Sequence, residues 1–533
     1  MRIISLILLL AIGASCRKQP TQFHSEQVLR LNLSDDPVSL DPRSVRSLKD
    51  LTVVKQLFEG LTRLDAQGVP RPALATHVTI SDDLLTYTFY LRDTCWSNGD
   101  PVSAQDFYDA WIAVLDSSFA CDYSYMLYPI KNAQKLRQGL CSPQDLGVCA
   151  TDDKTLVVEL QAPTPYFLEL TAFPTFFPVH RHIATAIPNW AVPPCEHFIC
   201  NGPFCLERWL TQTEVCLKKN PIYWDSQNVM LDRVTFSVIA DSNTESQLFE
   251  TDELDWLGQP ISNNISPELL ERMKQEGQLA SYGIAGTLWF KFNIAKQPFD
   301  NLNLRKAFGY AINREEIITH VLQGNQTCAT GPLPPCMAVS AEPYFADGDT
   351  LRAQNHFEQG LTEKGWTHAT FPRVILNYTP SERTTKIVQL VQQQWHKTLG
   401  VKVELQALER QVYEQCTKRG LYQIGVGQWI ADFNDPLAFL EIFKSTIDSA
   451  TSTGLNDTGW QDETYSALLE ASLNERDPQV RHDLLLKAET ILMSAMPIAP
   501  LYHYAFDYAK KNYVQDVVLS PLGIADFKTA HVK

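Results

Sequence analysis

The chain lacks the short motifs that mark common enzyme chemistries. No GxSxG nucleophile elbow, HExxH zinc helix, CxxC pair or GxxxxGK[ST] phosphate loop occurs in its 533 residues. Gly425-Val426-Gly427 lacks the third glycine and the strand-to-helix setting of a nucleotide loop, and Asp152-Asp153 adjoins a strand, as solvated turn charges do. Turnover of a peptide or ester by the purified protein would argue for an exported hydrolase; retention of intact peptide argues for binding. Positive charge is also short, with 45 Lys+Arg against 61 Asp+Glu and a net charge of -16. That balance disfavours nucleic acid as a partner and suits small cationic or zwitterionic ligands. The one compact histidine pair, His180 and His182, lies in a Pro-rich stretch, so no metal and no cofactor is expected. No repeat or low-complexity tract occurs, and past the N-terminus no apolar run reaches membrane length.

That N-terminus is where the long apolar run lies. Arg2 precedes residues 3–12, apolar except for Ser5, followed by Gly13-Ala14-Ser15-Cys16 and the polar Arg17-Lys18-Gln19-Pro20. The run is too short to span a bilayer, and its small-residue end predicts a signal peptide over residues 1–15. Cys16 after Gly-Ala-Ser resembles the lipobox of bacterial lipoproteins, whose cysteine becomes the acylated first residue of the mature chain. Gly13 stands where that motif usually has Leu, and ordinary secretion with cleavage near Ser15 is the other reading. Either way the body is expected in the periplasm or on an envelope membrane face, tethered at most by lipid. With Cys16 set aside, 11 of the 12 cysteines remain, so at least one cannot pair within the chain. In an exported protein, close pairs such as Cys141 with Cys149 and Cys328 with Cys336 suggest short disulfide loops; structural thiols or disulfides stand ahead of zinc, the alternative.

The body, 44% hydrophobic and 20% charged, has an ordinary globular composition with room for two or three domains. Residues 28–33, 87–91 and 156–160 alternate as half-buried strands do. Ser103 caps a helix whose apolar face is Phe107, Trp111, Ile112 and Leu115. Residues 204–217 suggest a hairpin, with Cys205 and Cys216 on opposite strands about a turn at 210–212. Residues 305–322 and 384–399 suggest amphipathic helices, the second leading into a strand at 401–405. Strands and helices that alternate in this way predict a multidomain α/β or α+β protein.

The stretch Trp429-Ile430-Ala431-Asp432-Phe433-Asn434-Asp435-Pro436 sets acids among apolar, short neighbours. Asp432 is there either as an exposed loop charge or as a buried anion that needs a cationic partner, because an unpaired carboxylate away from water is costly.

Residues 87–93 (Tyr-Thr-Phe-Tyr-Leu-Arg-Asp) and 96–107, beginning Trp-Ser-Asn-Gly-Asp-Pro-Val, resemble the signature segment of one family. It is that of the periplasmic oligopeptide-binding and dipeptide-binding proteins of ABC importers. Ser39-Leu40-Asp41-Pro42, Leu57-Phe58-Glu59-Gly60-Leu61, Asn201-Gly202-Pro203-Phe204, Tyr223-Trp224 and residues 429–436 follow in the family's order and spacing. The resemblance implies an α/β, two-lobed periplasmic-binding-protein-like fold with an inserted domain and a hinge-closing cleft. Residues 24–58, 183–285 and 503–533 would form the first lobe, 59–182 the inserted domain and 286–502 the second lobe. The implied function is capture of oligopeptides by a monomer and delivery to the permease subunits of an ABC importer. Specialisation for cell-wall peptides, dipeptides, nickel or haem is the alternative on the same scaffold; a coloured or metal-loaded preparation would favour the last two.

Site residues follow position by position. Asp432 matches the acid that pairs with a peptide's α-ammonium group, Trp429 a cleft aromatic and Tyr123 a tyrosine that reaches the ligand. Ser47 and Leu48 match positions whose backbone pairs with the ligand like an added strand, a mode that reads main chain. Tyr502 and Tyr504 are expected in the core. Enteric relatives carry an Arg where Val426 stands and a Lys where Leu322 stands. In exchange Lys291 replaces a family Glu, Arg410 a cleft Trp, and Arg383 lies near a family His. Positive charge relocated in this way would favour short peptides or peptides with extra carboxylates.

Overall fold

The computed structural model describes residues 26–45, 47–187, 189–195, 197–444 and 456–533. Cys16 and the expected signal peptide lie outside them. Three sheets carry the framework. The first runs Val28–Leu33, Arg233–Val238, Glu214–Lys219, Phe204–Leu210 in spatial order. Leu29, Leu31 and Leu33 turn inward from its first strand, as the alternation predicts. The cysteine-bearing hairpin forms with Cys205 opposite Lys218 and Cys216 opposite Arg208, and the register slips between Leu206 and Arg208. The second sheet, Ala75–Ile80, Thr86–Leu91, Thr155–Glu159, Val148–Asp152, is held by cross-strand pairs such as Phe89 with Leu156 and Tyr87 with Val158, all four buried. Both sheets feed one hydrophobic core, which also takes Phe107 and Trp111 of the helix Ala104–Val114 capped at Ser103.

The third sheet, of seven strands, positions the site. Its centre is two antiparallel strands of 13 residues each, Ala280–Phe292 and Ile498–Lys510. Ile424–Ile430 pairs with the first of these, then Ile375–Tyr378 and Glu404–Ala407 extend the sheet in parallel. The expected lobe limits at 285/286 and 502/503 fall inside the long strands, where the register shifts between Gly283 and Thr287.

Three expectations are corrected. Residues 305–322 are not one helix: Leu302–Tyr310 ends, and Arg314–Ile317 restarts before a π turn, Ile318–Leu322. The break has a cause in Asn313, whose side chain accepts the Glu316 N–H, while the Asp347 carboxylate takes the Arg314 and Glu315 N–H groups. The strand expected at 401–405 begins only at Glu404. The expected disulfides are absent: Cys141, Cys149, Cys328 and Cys336 are free thiols. The Cys141 thiol donates instead to the Asn132 carbonyl and that of Cys328 to the Glu315 carboxylate.

Candidate ligand-binding site

The strand Ile424–Ile430 carries the motif tryptophan, and the loop after it carries both acids. The Ala431 N–H donates to the Ala285 carbonyl at 2.7 Å, fixing the loop's exit from the sheet. Phe433 then stacks on Tyr166, ring centroids 3.9 Å apart. The two acids differ. Asp435 is buried and meets Arg481 through two contacts of 2.9 Å, so its charge is matched within the chain. Asp432 is half-buried and forms no ion pair among the described residues. Burial pushes its carboxyl above the ordinary value, against a hydrogen bond from Tyr125. Tyr123 is close enough that the Asp432 charge, after burial, raises its phenol too. The structure therefore brings Asp432 together with Tyr123 and adds Tyr125, which the sequence reading missed. The Tyr-Ser-Tyr spacing at 123–125 was the available signal.

Trp429 half-lines a cavity of about 810 Å³ with Trp289, Lys291, Arg410, Tyr413 and Val426. Its indole N–H is buried without a hydrogen-bond partner among the described residues. Lys291 is in the wall as expected, but it is not a lone cation. It is ion-paired with Asp457 and lies 5.4 Å from the ring centroids of Tyr413 and Tyr422. Arg410 opens the helix Arg410–Lys418 and pairs with Glu414 at 3.1 Å in an exposed contact. Arg383 is exposed near the start of Glu382–Leu399 and hydrogen-bonds Tyr502. Tyr502 is buried, and half-buried Tyr504 donates to the Gln428 amide oxygen at 2.8 Å.

Two glycines explain how long side chains reach this wall. Gly427 lies opposite Trp289 and Gly425 opposite Lys291 across the strand pair. A Cβ on Gly427 would overlap the Trp289 indole, and one on Gly425 would stand 2.9 Å from Lys291 Cε.

Ser47 and Leu48 stand apart from the cavity. Ser47 caps the helix Leu48–Leu57, and its carbonyl accepts the Leu51 N–H at 2.9 Å, so that oxygen is already used. Leu48 is helical, not extended, and would meet a Cβ at Gly523 at 3.1 Å. The neighbouring Ser520, Leu522 and Ile524 share a small void with Asp432, Glu169 and Asn434.

The sequence profile of the bacterial extracellular solute-binding proteins, family 5 (Middle), matches residues 69–450. The chain belongs to this family. Oligopeptide-binding protein OppA of Bacillus subtilis is 40% identical over 510 residues, 95% of this chain and 92% of that one. Among solved structures, MppA, a periplasmic murein tripeptide binding protein in an unliganded open form, superposes with a TM-score of 0.85 at 28% identity, covering 95% of this chain and 98% of that one. Haemophilus influenzae OppA in complex with RPPGFSPFR gives 0.71 at 26% identity, covering 95% and 99%. The fold is thus the two-lobed substrate-binding fold of the family 5 proteins. It agrees better with the open form than with the peptide complex. Among the described residues, no helix is long and apolar enough to cross a membrane.

Proposed function

We propose that the protein captures oligopeptides by their free N-terminus and hands them, unaltered, to the permease of an ABC importer. One observation carries this: Asp432, a half-buried carboxylate without an ion pair among the described residues, is held by Tyr125 beside a small void, three residues past Trp429 in the wall of the large cavity. An α-ammonium group would supply the missing charge, and closure of the lobes would exclude water and strengthen that pair. The names of the relatives support the ligand class. The lobes are 24–58 with 183–285 and 503–533, and 286–502, with 59–182 inserted in the first; the mature chain works as a monomer. Cys16 carries the lipid that keeps it at the membrane. Cys16→Ser should release the protein into the detergent-free soluble fraction; wild type that is already soluble and unacylated refutes the anchor.

Lys291, Arg410 and Arg383 favour a second, narrower reading, in which ligand carboxylates, including those of cell-wall peptides, compete with Asp457 and Glu414 for these cations. The fit to the open murein-tripeptide binder supports it.

Calorimetry tests both. Asp432→Asn should cost about 2 to 5 kcal/mol of peptide affinity, and N-acetylation of the peptide about as much on the native protein. Equal affinity for free and acetylated peptides would place Asp432 outside the site. Glu-rich or cell-wall peptides should bind more tightly than matched Lys-rich ones, and the preference should vanish in Lys291→Ala; a Lys-rich preference rejects the second reading alone.

A further inference from the structure

We propose that Cys200 and Cys205 form a reversible disulfide, made by exchange with an external disulfide such as oxidised glutathione or an exported dithiol oxidase. All eleven described cysteines are free thiols. Among them Cys200 and Cys205 stand at the two ends of one short turn, close enough that each perturbs the other's protonation. The Cys200 sulfur lies 3.5 Å from the Phe204 carbonyl, the group directly before Cys205 in the chain. The segment between them is pinned on both sides. Asn201 exchanges side-chain hydrogen bonds with the Glu59 backbone at 3.1 and 3.2 Å, and the Gly202 N–H donates to the Leu57 carbonyl at 2.8 Å. Asn220 in turn donates to the Gly202 and Pro203 carbonyls. A Cβ on Gly202 would press into the Leu57 backbone, so this turn has one way to sit. The fixed turn thus keeps the Cys200 sulfur against the peptide group that leads into Cys205, the neighbourhood a disulfide between them needs.

The two thiols are unequal in a way that suits exchange. Cys205 is half-exposed at the head of Phe204–Leu210 and stands opposite Lys218; Cys200 is 1% exposed. The hydrogen bond from Cys200, with the Lys218 ammonium, holds the Cys205 thiol below its ordinary range, while the same contact and burial push Cys200 up. Cys205 thiolate attacks one sulfur of the external disulfide, whose other sulfur leaves as thiolate. The Cys200 thiol then gives its proton to a thiolate and attacks the Cys205 sulfur, expelling the second external thiolate. Two protein thiols are oxidised to one disulfide, and the external disulfide is reduced to two thiols. Cys200 also exchanges backbone hydrogen bonds with Ser97, its carbonyl accepting at 2.7 Å and its N–H donating to the hydroxyl at 3.1 Å. The bond would therefore stiffen the joint between the two four-stranded sheets.

The full chain, equilibrated with oxidised glutathione, alkylated and digested with trypsin, tests this by mass spectrometry. Peptide 182–208, which holds Cys195, Cys200 and Cys205, should lose two hydrogens, carry one alkyl group on Cys195, and gain two more, three in all, after reduction and renewed alkylation. Cys205→Ser should abolish the loss, and Cys200→Ser should trap glutathione on Cys205. Alkylation of all three wild-type cysteines, a stable wild-type glutathione adduct, or a bond through Cys195 overturns the proposal. The wild-type and Cys205→Ser results suffice if Cys200→Ser does not fold.

Discussion

Asp432 and Asp435 stand three residues apart, and their surroundings assign them different work. Asp435 has Arg481 and is structural; Asp432 has a phenol and no ion pair among the described residues, which is why a ligand role is proposed for it. The sequence displays both acids and the tryptophan ahead of them, which is why the stretch could be singled out. It does not display Arg481, 46 residues on, or Asp457, 166 residues from Lys291, because side-chain partners across a sheet leave no trace in local spacing. Glu169 belongs to the same neighbourhood: its carboxylate accepts the Asn434 N–H, yet burial, with the Asp435 charge, pushes it to about 8, against Arg481. Folded Glu169 thus holds its proton more tightly than the unfolded chain does. Its contribution to stability is complete below its ordinary value of 4.5 and is lost as pH rises to about 8. Glu489, raised to about 7 by burial, acts in the same direction. Calorimetric melting temperatures should fall across this window in wild type and fall less steeply in Glu169→Gln. An unchanged slope in the variant would mean that Glu169 ionises as freely in the folded state as in the unfolded one.

At the scale of elements, strands with one buried face were legible because side-chain direction alternates with period two; Val28–Leu33 has the bounds expected. Helix ends were less legible. Apolar spacing runs on through residues 305–322, and only the capping side chain of Asn313 and the distant Asp347 break it. Gly425 and Gly427 show a different limit, since their meaning depends on Lys291 and Trp289 crossing over them from the next strand. Gly427→Ala should force the Trp289 indole from its place, costing about 1 to 3 kcal/mol of stability by overpacking and weakening peptide binding as the wall deforms. Urea melts and binding isotherms that both match wild type would show that Trp289 can move aside freely.

At the scale of the molecule, the two 13-residue strands Ala280–Phe292 and Ile498–Lys510 run through both proposed lobes. Their pairing slips between Gly283 and Thr287, near where the lobes are proposed to join. With the lobes so divided, a strand pair continuous on either side of an irregular step would leave each lobe rigid and give closure a place to bend. No local pattern announces this pairing, because the paired segments lie more than two hundred residues apart. The chain superposes on an open, unliganded relative with a TM-score of 0.85, so the proposed function starts from an open form. Closure then requires that a ligand bind the closed form more tightly than the open one, and an ammonium buried against Asp432 is such a difference. Addition of an oligopeptide should therefore reduce the radius of gyration measured by small-angle X-ray scattering. The N-acetylated peptide, at a concentration that saturates the native site with the free one, should leave it near the open value, as should the free peptide added to Asp432→Asn. Compaction of equal size in all three would mean that the lobes close on some other contact, and that the charge of Asp432 does not drive the change.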